Sequence, residues 1–391
     1  MGKRQEVGAL TPIVHNLSGA VVALETVAIV LTLGLLAFAP LGASAPLGIG
    51  AAFAAVIAGG LVYAVFGSAA SPSAGPTSAT ALILAGLVAQ LVQDARFDLN
   101  SPQGLATLLA VAASSVVLMG LLQILMGLAG LGRLARFVPQ PVLAGFMNGV
   151  ALLILLSQIP TLLGLTALTR WTDPASLSQA QPLALLVGLA TAGTVWLVRW
   201  KWSRASSSLI GLALGCFLFF TLMALIPSAH LGDLVGPLPQ GVVKPDGLLP
   251  LVDSGAWTLL LAHGKAVFLT GAVLAVIGSL ESLLVALASD QHARSQHDPG
   301  RELLSMGAAN VVSGLCAGLP LVLSNARCVP LLKKGAVGRG PALASVLAFL
   351  VIYAVGGSLL ALLPKVVLAG MMVTIAVALS DRWTRQLLGQ W

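Results

Sequence analysis

The stretch SPSAGPTSAT, residues 71–80, holds one glycine, two prolines and five hydroxyl side chains between two long apolar runs. Such a sequence interrupts a helix, because proline lacks an amide donor and glycine leaves the backbone unrestrained. Around it the chain is 58% hydrophobic and 8% charged over 391 residues, with a mean hydropathy of +0.99. No soluble domain of this length carries that composition, so the chain is an integral membrane protein. The fold therefore turns on why a helix-breaking segment sits inside membrane sequence.

Only helices and closed barrels satisfy the backbone in a bilayer, and the apolar runs lack the alternating polarity of barrel strands. Runs of spanning length fall at 17–39, 46–66, 76–92, 104–130, 140–163, 182–198, 206–226, 265–288, 302–317, 323–336, 341–363 and 365–380. The first follows Lys3 and Arg4 and precedes a cleavage-like Ala43-Ser44-Ala45. It is too long for a signal peptide and carries Glu25, so it reads as a retained span.

With twelve spans and a cytoplasmic N-terminus, inner loops hold Lys3, Arg4, Arg133, Arg136, Arg199, Lys201, Arg204, Arg294, Arg301, Lys333, Lys334, Arg339, Arg382 and Arg385. Outer loops hold only Arg96, Arg170, Lys244, Lys265 and Lys365. This asymmetry orients the chain with both termini inside, as expected of a multi-pass protein of the inner (plasma) membrane. The net charge of +7 then reflects topology and attraction to anionic lipid, not nucleic acid binding. Cys216, Cys316 and Cys328 lack paired spacing and imply neither a disulfide framework nor a thiolate metal site.

Two short matches recur across the chain. GAVVA at 19–23 returns as GAVLA at 271–275, and VLAGFM at 142–147 returns as VLAGMM at 367–372. Both pair span n with span n + 7, and an odd repeat enters the membrane from the opposite side, as in inverted-repeat secondary transporters. Span 3 then pairs with span 10, which begins with AGLPLVLSNARCVP at 317–330. One break alone means little, since Gly and Pro are frequent in membrane helices. Non-helical backbone at membrane depth survives only where it lines a cavity or is buried in protein. A matched pair, with each half-helix preceded by extended backbone, therefore points to a central binding site where two helices begin. Gly75 is expected as the N-cap of span 3, with Pro76 in its first turn and the Thr77 and Ser78 amides exposed. Ser324 or Asn325 caps span 10. Two opposed N-termini suit an anion.

Three blocks carry a resemblance: SAGPTSATALILAGLVA at 73–89, RFVPQPVLAGFMNGVALLILLSQIP at 136–160, and the long run from Leu280 to Ala336. In order and spacing they resemble the third helix, the fifth helix and the helix 8–10 block of the sulfate permease (SulP) family of anion transporters. The resemblance implies an all-α, seven-plus-seven inverted repeat in which a core (helices 1–4 and 8–11) moves against a gate (5–7 and 12–14). It also implies an anion held between the starts of helices 3 and 10, and a C-terminal STAS domain. Here the spans end after helix 12, so helices 13 and 14 and the STAS domain are expected to be missing. The expected division is an N-terminus 1–16, a first repeat 17–226, a connection 227–264, an incomplete second repeat 265–380 and a C-terminus 381–391. The short gate leaves a homodimer or a non-transporting remnant as readings. The family's hydroxyl before the arginine of helix 10 is replaced by Ala326, whereas Arg327 is retained.

Glu25, Glu281 and Arg327 are the ionisable residues placed well within spans, and each costs roughly 3 kcal/mol to insert unless paired or hydrated. Arg327 is expected either to face the anion or to form an ion pair with Glu25 or Glu281. Glu25, expected to have no cation of its own, is a candidate proton carrier. Glu281, with Ser282 beside it, matches a family glutamate and suits H+ or Na+ coupling or, equally, structural pairing. The anion-binding set is thus Gly75, Pro76, Thr77, Ser78, Ser324, Asn325, Ala326 and Arg327. In the 289–302 loop, His292, His297, Asp290 and Asp298 suggest a metal site less than a solvated turn in which Asp298 pairs with Arg301 or caps the next helix. No cofactor is implied, and no hydrolase or metalloprotease motif appears. A nucleobase transporter of related fold would place carboxylates in helices 8 and 10. Glu281 fits the first, and Arg327 stands where the second would be.

Overall fold

A computed structural model describes residues 12–133, 140–165, 178–201, 207–226, 231–236, 247–252 and 254–379. Lys3, Arg4, Arg136, Arg170, Arg204, Lys244, Arg382 and Arg385 of the charge asymmetry lie outside the described residues, as does the expected C-terminal segment 381–391.

A helix occupies each of the twelve apolar runs. They are α1 (Pro12–Ala37), α2 (Leu47–Phe66), α3 (Ser78–Val92), α4 (Pro102–Leu128), α5 (Gln140–Leu162), α6 (Pro182–Lys201) and α7 (Ser207–Leu225). After a short α8 (Ser254–Ala262) come α9 (Gly264–Ala293), α10 (Pro299–Leu315), α11 (Asn325–Lys333), α12 (Arg339–Ala361) and α13 (Lys365–Leu379). A π-helical turn at Ala55–Gly59 lies inside α2 and packs against α10.

Among the described residues seven helices are long and apolar enough to cross a membrane. α3, with 15 residues, and α11, with 9, are not: at about 1.5 Å per residue they reach roughly 22 and 14 Å against a hydrocarbon core of about 30 Å. Extended backbone precedes each of these two helices.

Helices α1–α4 and α9–α12 pack around a large core that includes Leu31, Phe53, Tyr63 and Phe349. α6, α7 and α13 bury a smaller cluster of Ala184, Val187, Phe219, Val366 and Val367. Large apolar side chains such as Trp196, Trp200, Phe217, Val355 and Leu359 point outward, as a lipid-facing surface requires. The protein is a nearly all-helical multi-pass membrane protein.

Close helix approach depends on small residues, since lipid supplies no hydrophobic drive between helices. A Cβ on Gly307 of α10 would lie 2.6 Å from the Gly120 carbonyl oxygen of α4, and one on Gly120 the same distance from that of Gly307. Gly307→Val is expected to force α4 and α10 apart at a cost of about 1–3 kcal/mol. Thermal unfolding in detergent checks this against Gly357→Val, where a Cβ meets nothing within 4 Å. Equal melting temperatures for the two variants would contradict the packing argument.

Candidate functional site

The two helix-breaking segments meet. Strand β1 (Ala74–Gly75) pairs antiparallel with β2 (Val322–Leu323), setting Ala74 opposite Leu323 and Gly75 opposite Val322. α3 and α11 both start within three residues of this ladder, and the first amides of a helix lack an i−4 carbonyl inside it. Two short helices, each preceded by extended backbone, thus stand at the two breaks.

The cap of α3 differs from expectation. Gly75 is not the N-cap but a strand residue, and Pro76 precedes the helix. Thr77 is the N-cap, with extended φ −123° and ψ 166°. Its amide is not free, because it donates to Thr80 Oγ1 at 3.3 Å. A Thr-x-x-Thr capping pair thus overrides proline's preference for the first turn. Ser78 is the first helical residue and is buried. In α11 Ser324 is the N-cap, its carbonyl accepting from the Arg327 and Cys328 amides (3.0 and 2.8 Å), and Asn325 opens the helix.

Arg327 is 4% exposed. Its Nη1 donates to the Ala74 carbonyl of β1, and its guanidinium lies 4.8 Å from the centre of the Phe349 ring. Gly75 makes room for it, since a Cβ there would lie 2.5 Å from Cζ. The expected ion pairs with Glu25 and Glu281 do not form: among the described residues no carboxylate lies within 4.0 Å of the Arg327 guanidinium. Cys328, fully buried, donates its thiol to the Ser71 carbonyl at 3.2 Å. Ala326 is exposed.

Glu281 Oε2 accepts from Thr77 Oγ1 at 3.0 Å, which puts a carboxyl at the cap of α3. Its neighbour Ser282 is committed elsewhere, Oγ accepting from the Leu323 amide of β2 at 3.1 Å. Glu25 is corrected: Lys334, just past α11, donates to its Oε1 at 3.0 Å, so it has a cation of its own. At the far end of α3, Asp94 contacts His263, beside the start of α9, at 2.9 Å. Arg96, donating to Asp94, holds that carboxyl well below the usual carboxylate range. α3 is therefore tied to α9 at both ends.

In the 289–302 loop, Asp290 accepts from Ser295 Oγ (2.9 Å) and contacts His297 Nδ1 (2.6 Å), while Asp298 caps α10 by accepting from the Gly300 amide at 2.9 Å.

Sequence reasoning missed the polar face of α10. Glu302 is fully buried and accepts from Tyr63 Oη, from Ser68 Oγ (2.7 Å) and from the Ser68 amide (3.1 Å), fixing the corner that leads into β1. Asn310 binds the backbone of Leu321 through both ends of its amide, and Ser313 Oγ donates to the Leu319 carbonyl at 2.7 Å. The signal was present: Glu302, Ser305, Asn310 and Ser313 recur at helical spacing on one face of an otherwise apolar run.

A multi-pass helical protein whose two broken helices meet at a short ladder has the arrangement found in secondary transporters. The chain belongs to the sulfate permease family, which it matches over residues 17–388. It is 26% identical over 329 residues to the bicarbonate transporter BicA of Synechocystis sp., covering 82% of this chain and 54% of that protein. It is 29% identical over 338 residues to a probable sulfate transporter of Mycobacterium tuberculosis, with the same coverages. The chain thus spans about half the length of these curated relatives. Among solved structures, the transmembrane domain of a cyanobacterial BicA superposes with a TM-score of 0.77 at 26% identity, covering 95% of this chain and 89% of that one. The murine Slc26a9 anion transporter in its inward-facing state gives 0.75 at 18% identity, over 97% and 62% of the two chains, and so shares the fold.

Proposed function

We propose that the protein is a secondary active transporter of a small monovalent oxyanion of the bicarbonate type, coupled to H+ or Na+ through Glu281. The observation that carries this reading is the buried Arg327 guanidinium, with no carboxylate in range among the described residues, beside two helix starts. A buried cation without a counter-charge costs several kcal/mol, so such a site suits a charge partner that comes and goes. Two helix N-termini add roughly half a positive charge each.

The substrate class follows from charge. The site offers one guanidinium, opposed by the Glu281 carboxyl at the cap of α3, and the cost of burying an anion rises steeply with its charge. One negative charge is therefore matched better than two. Ala326 supplies no hydroxyl to a larger oxyanion, and the resemblance to BicA, named as a bicarbonate transporter, points the same way. In this reading the anion-binding set is Gly75 to Ser78 and Ser324 to Arg327. α1–α4 and α9–α12 form the moving core, and α5–α7 with α13 belong to the gate of two inverted repeats, 17–226 and 265–380. Both termini are cytoplasmic, and the protein is a homodimer.

Uptake by the full chain in proteoliposomes tests the reading. Labelled bicarbonate is expected to enter saturably, with sulfate competing about tenfold more weakly, a difference of roughly 1.4 kcal/mol. Ala326→Ser is expected to narrow that gap. Sulfate uptake without bicarbonate uptake would overturn the monovalent assignment, and neither uptake nor binding of any small anion would overturn transport itself.

A further inference from the structure

We propose that Asn310 is a positioning residue that stands in for a missing third strand and sets the geometry of the β2 segment on which Arg327 depends. The inference rests on the anion-site reading above.

Extended backbone at membrane depth must have every polar group paired. One edge of β2 is paired by β1. The other faces helices, which offer no free backbone groups, so side chains from α9 and α10 take the place of a strand. Leu323 N–H is paired by Ser282 and Leu319 C=O by Ser313, one bond each. Asn310 alone makes two to one residue: its Oδ1 accepts from Leu321 N–H at 2.7 Å and its Nδ2 donates to Leu321 C=O at 2.9 Å. This is the donor–acceptor pattern of a β ladder, made by a primary amide.

The amide is itself fixed. Its second Nδ2 hydrogen goes to Gln123 Oε1 of α4 at 2.8 Å, and Gln123 Nε2 donates to Ser279 Oγ of α9 at 3.4 Å. Asn310 and Gln123 are both fully buried. The Asn310 amide thus spends both hydrogens and its acceptor, and no other side chain of that length supplies the set. Aspartate has no donors, serine is too short and leucine has neither function. From Leu321 the chain runs through β2 to the Ser324 cap and on to Arg327, so a displaced Leu321 shifts the guanidinium and the first-turn amides together.

Asn310→Asp removes both donations while keeping shape. On purified full chain it is expected to speed amide hydrogen exchange of the peptide covering 317–324 by about tenfold and to weaken bicarbonate binding about fivefold. Ser313→Ala removes one comparable buried bond from the same helix, two residues further from the ladder. It is expected to lower thermal stability while leaving affinity unchanged. Gln123→Leu, which frees Asn310 without touching the strand, is expected to act like Asn310→Asp more weakly, and it decides the matter should the aspartate variant not fold. Unchanged exchange at 317–324, or equal affinity loss in the Asn310 and Ser313 variants, would overturn the positioning role. A wild-type protein that binds no anion would instead overturn the functional reading, and the exchange comparison would still decide whether Asn310 holds the strand.

Discussion

Glu281→Gln is expected to abolish gradient-driven anion uptake while leaving anion binding intact. Thr77 Oγ1 donates to the Glu281 carboxyl, which places a titratable charge at the cap of α3, where the half-helix would otherwise favour an anion. A carboxylate there repels a second negative charge, whereas a protonated or Na+-paired carboxyl does not, so cation and anion occupancy rise together. Glutamine keeps the size and an oxygen acceptor for Thr77 but never carries the charge. The variant is therefore expected to bind bicarbonate at least as tightly as wild type and to lose dependence on pH or Na+. Equilibrium titration and proteoliposome uptake with and without an imposed gradient give the two readings. Uptake that still follows the gradient would remove Glu281 from coupling. Glu25→Gln serves as the comparison: its pairing with Lys334 makes a coupling role less suited, so it is expected to retain gradient-driven uptake.

Arg327→Gln is expected to weaken anion binding by at least about tenfold, and Arg327→Lys by less. Charge-assisted hydrogen bonds are worth about 1.5–3 kcal/mol each, and the guanidinium lies at the ladder from which both half-helices depart. The structure adds a second role, since the same group donates to Ala74 and stacks on Phe349. Lysine keeps the charge and a donor but loses the planar stacking. Phe349→Leu separates the two contributions, because it removes the ring and leaves the charge, and it is expected to cost stability more than affinity. Anion titration on folded, monodisperse protein checks all three. Gln and Lys variants that fold and bind like wild type would reduce Arg327 to a brace between α11 and β1.

Much of the fold was legible because it depends on local composition. Apolar runs of spanning length placed the helices, and the Gly, Pro and hydroxyl clusters at 71–80 and 317–330 located both breaks to within a few residues. The first cap was misplaced by two residues, since the choice between Gly75 and Thr77 hangs on which backbone groups the opposite strand claims. Gly75 is taken by pairing with Val322, a residue the sequence gives no reason to set beside it.

Side-chain pairing was less legible for the same reason. Glu25 looked unpaired because its partner, Lys334, lies 309 positions away in what reads as a loop. Glu302 looked like a loop residue at a span edge, yet Tyr63, 239 positions earlier, brings a hydroxyl to it. Arg327 was expected to meet a carboxylate or an anion, and among the described residues it meets a backbone carbonyl and a ring instead of a carboxylate.

By itself the sequence determined residence in the membrane, the positions of the helices and the existence of two interruptions, because the bilayer's demand for apolar length and internal hydrogen bonding acts on each segment separately. Only the tertiary structure decided how the interruptions are made tolerable and which partner each buried charge finds. A buried polar group is stable or costly according to what stands within about 3 Å of it. That neighbour comes from another helix, chosen by packing and not by sequence distance.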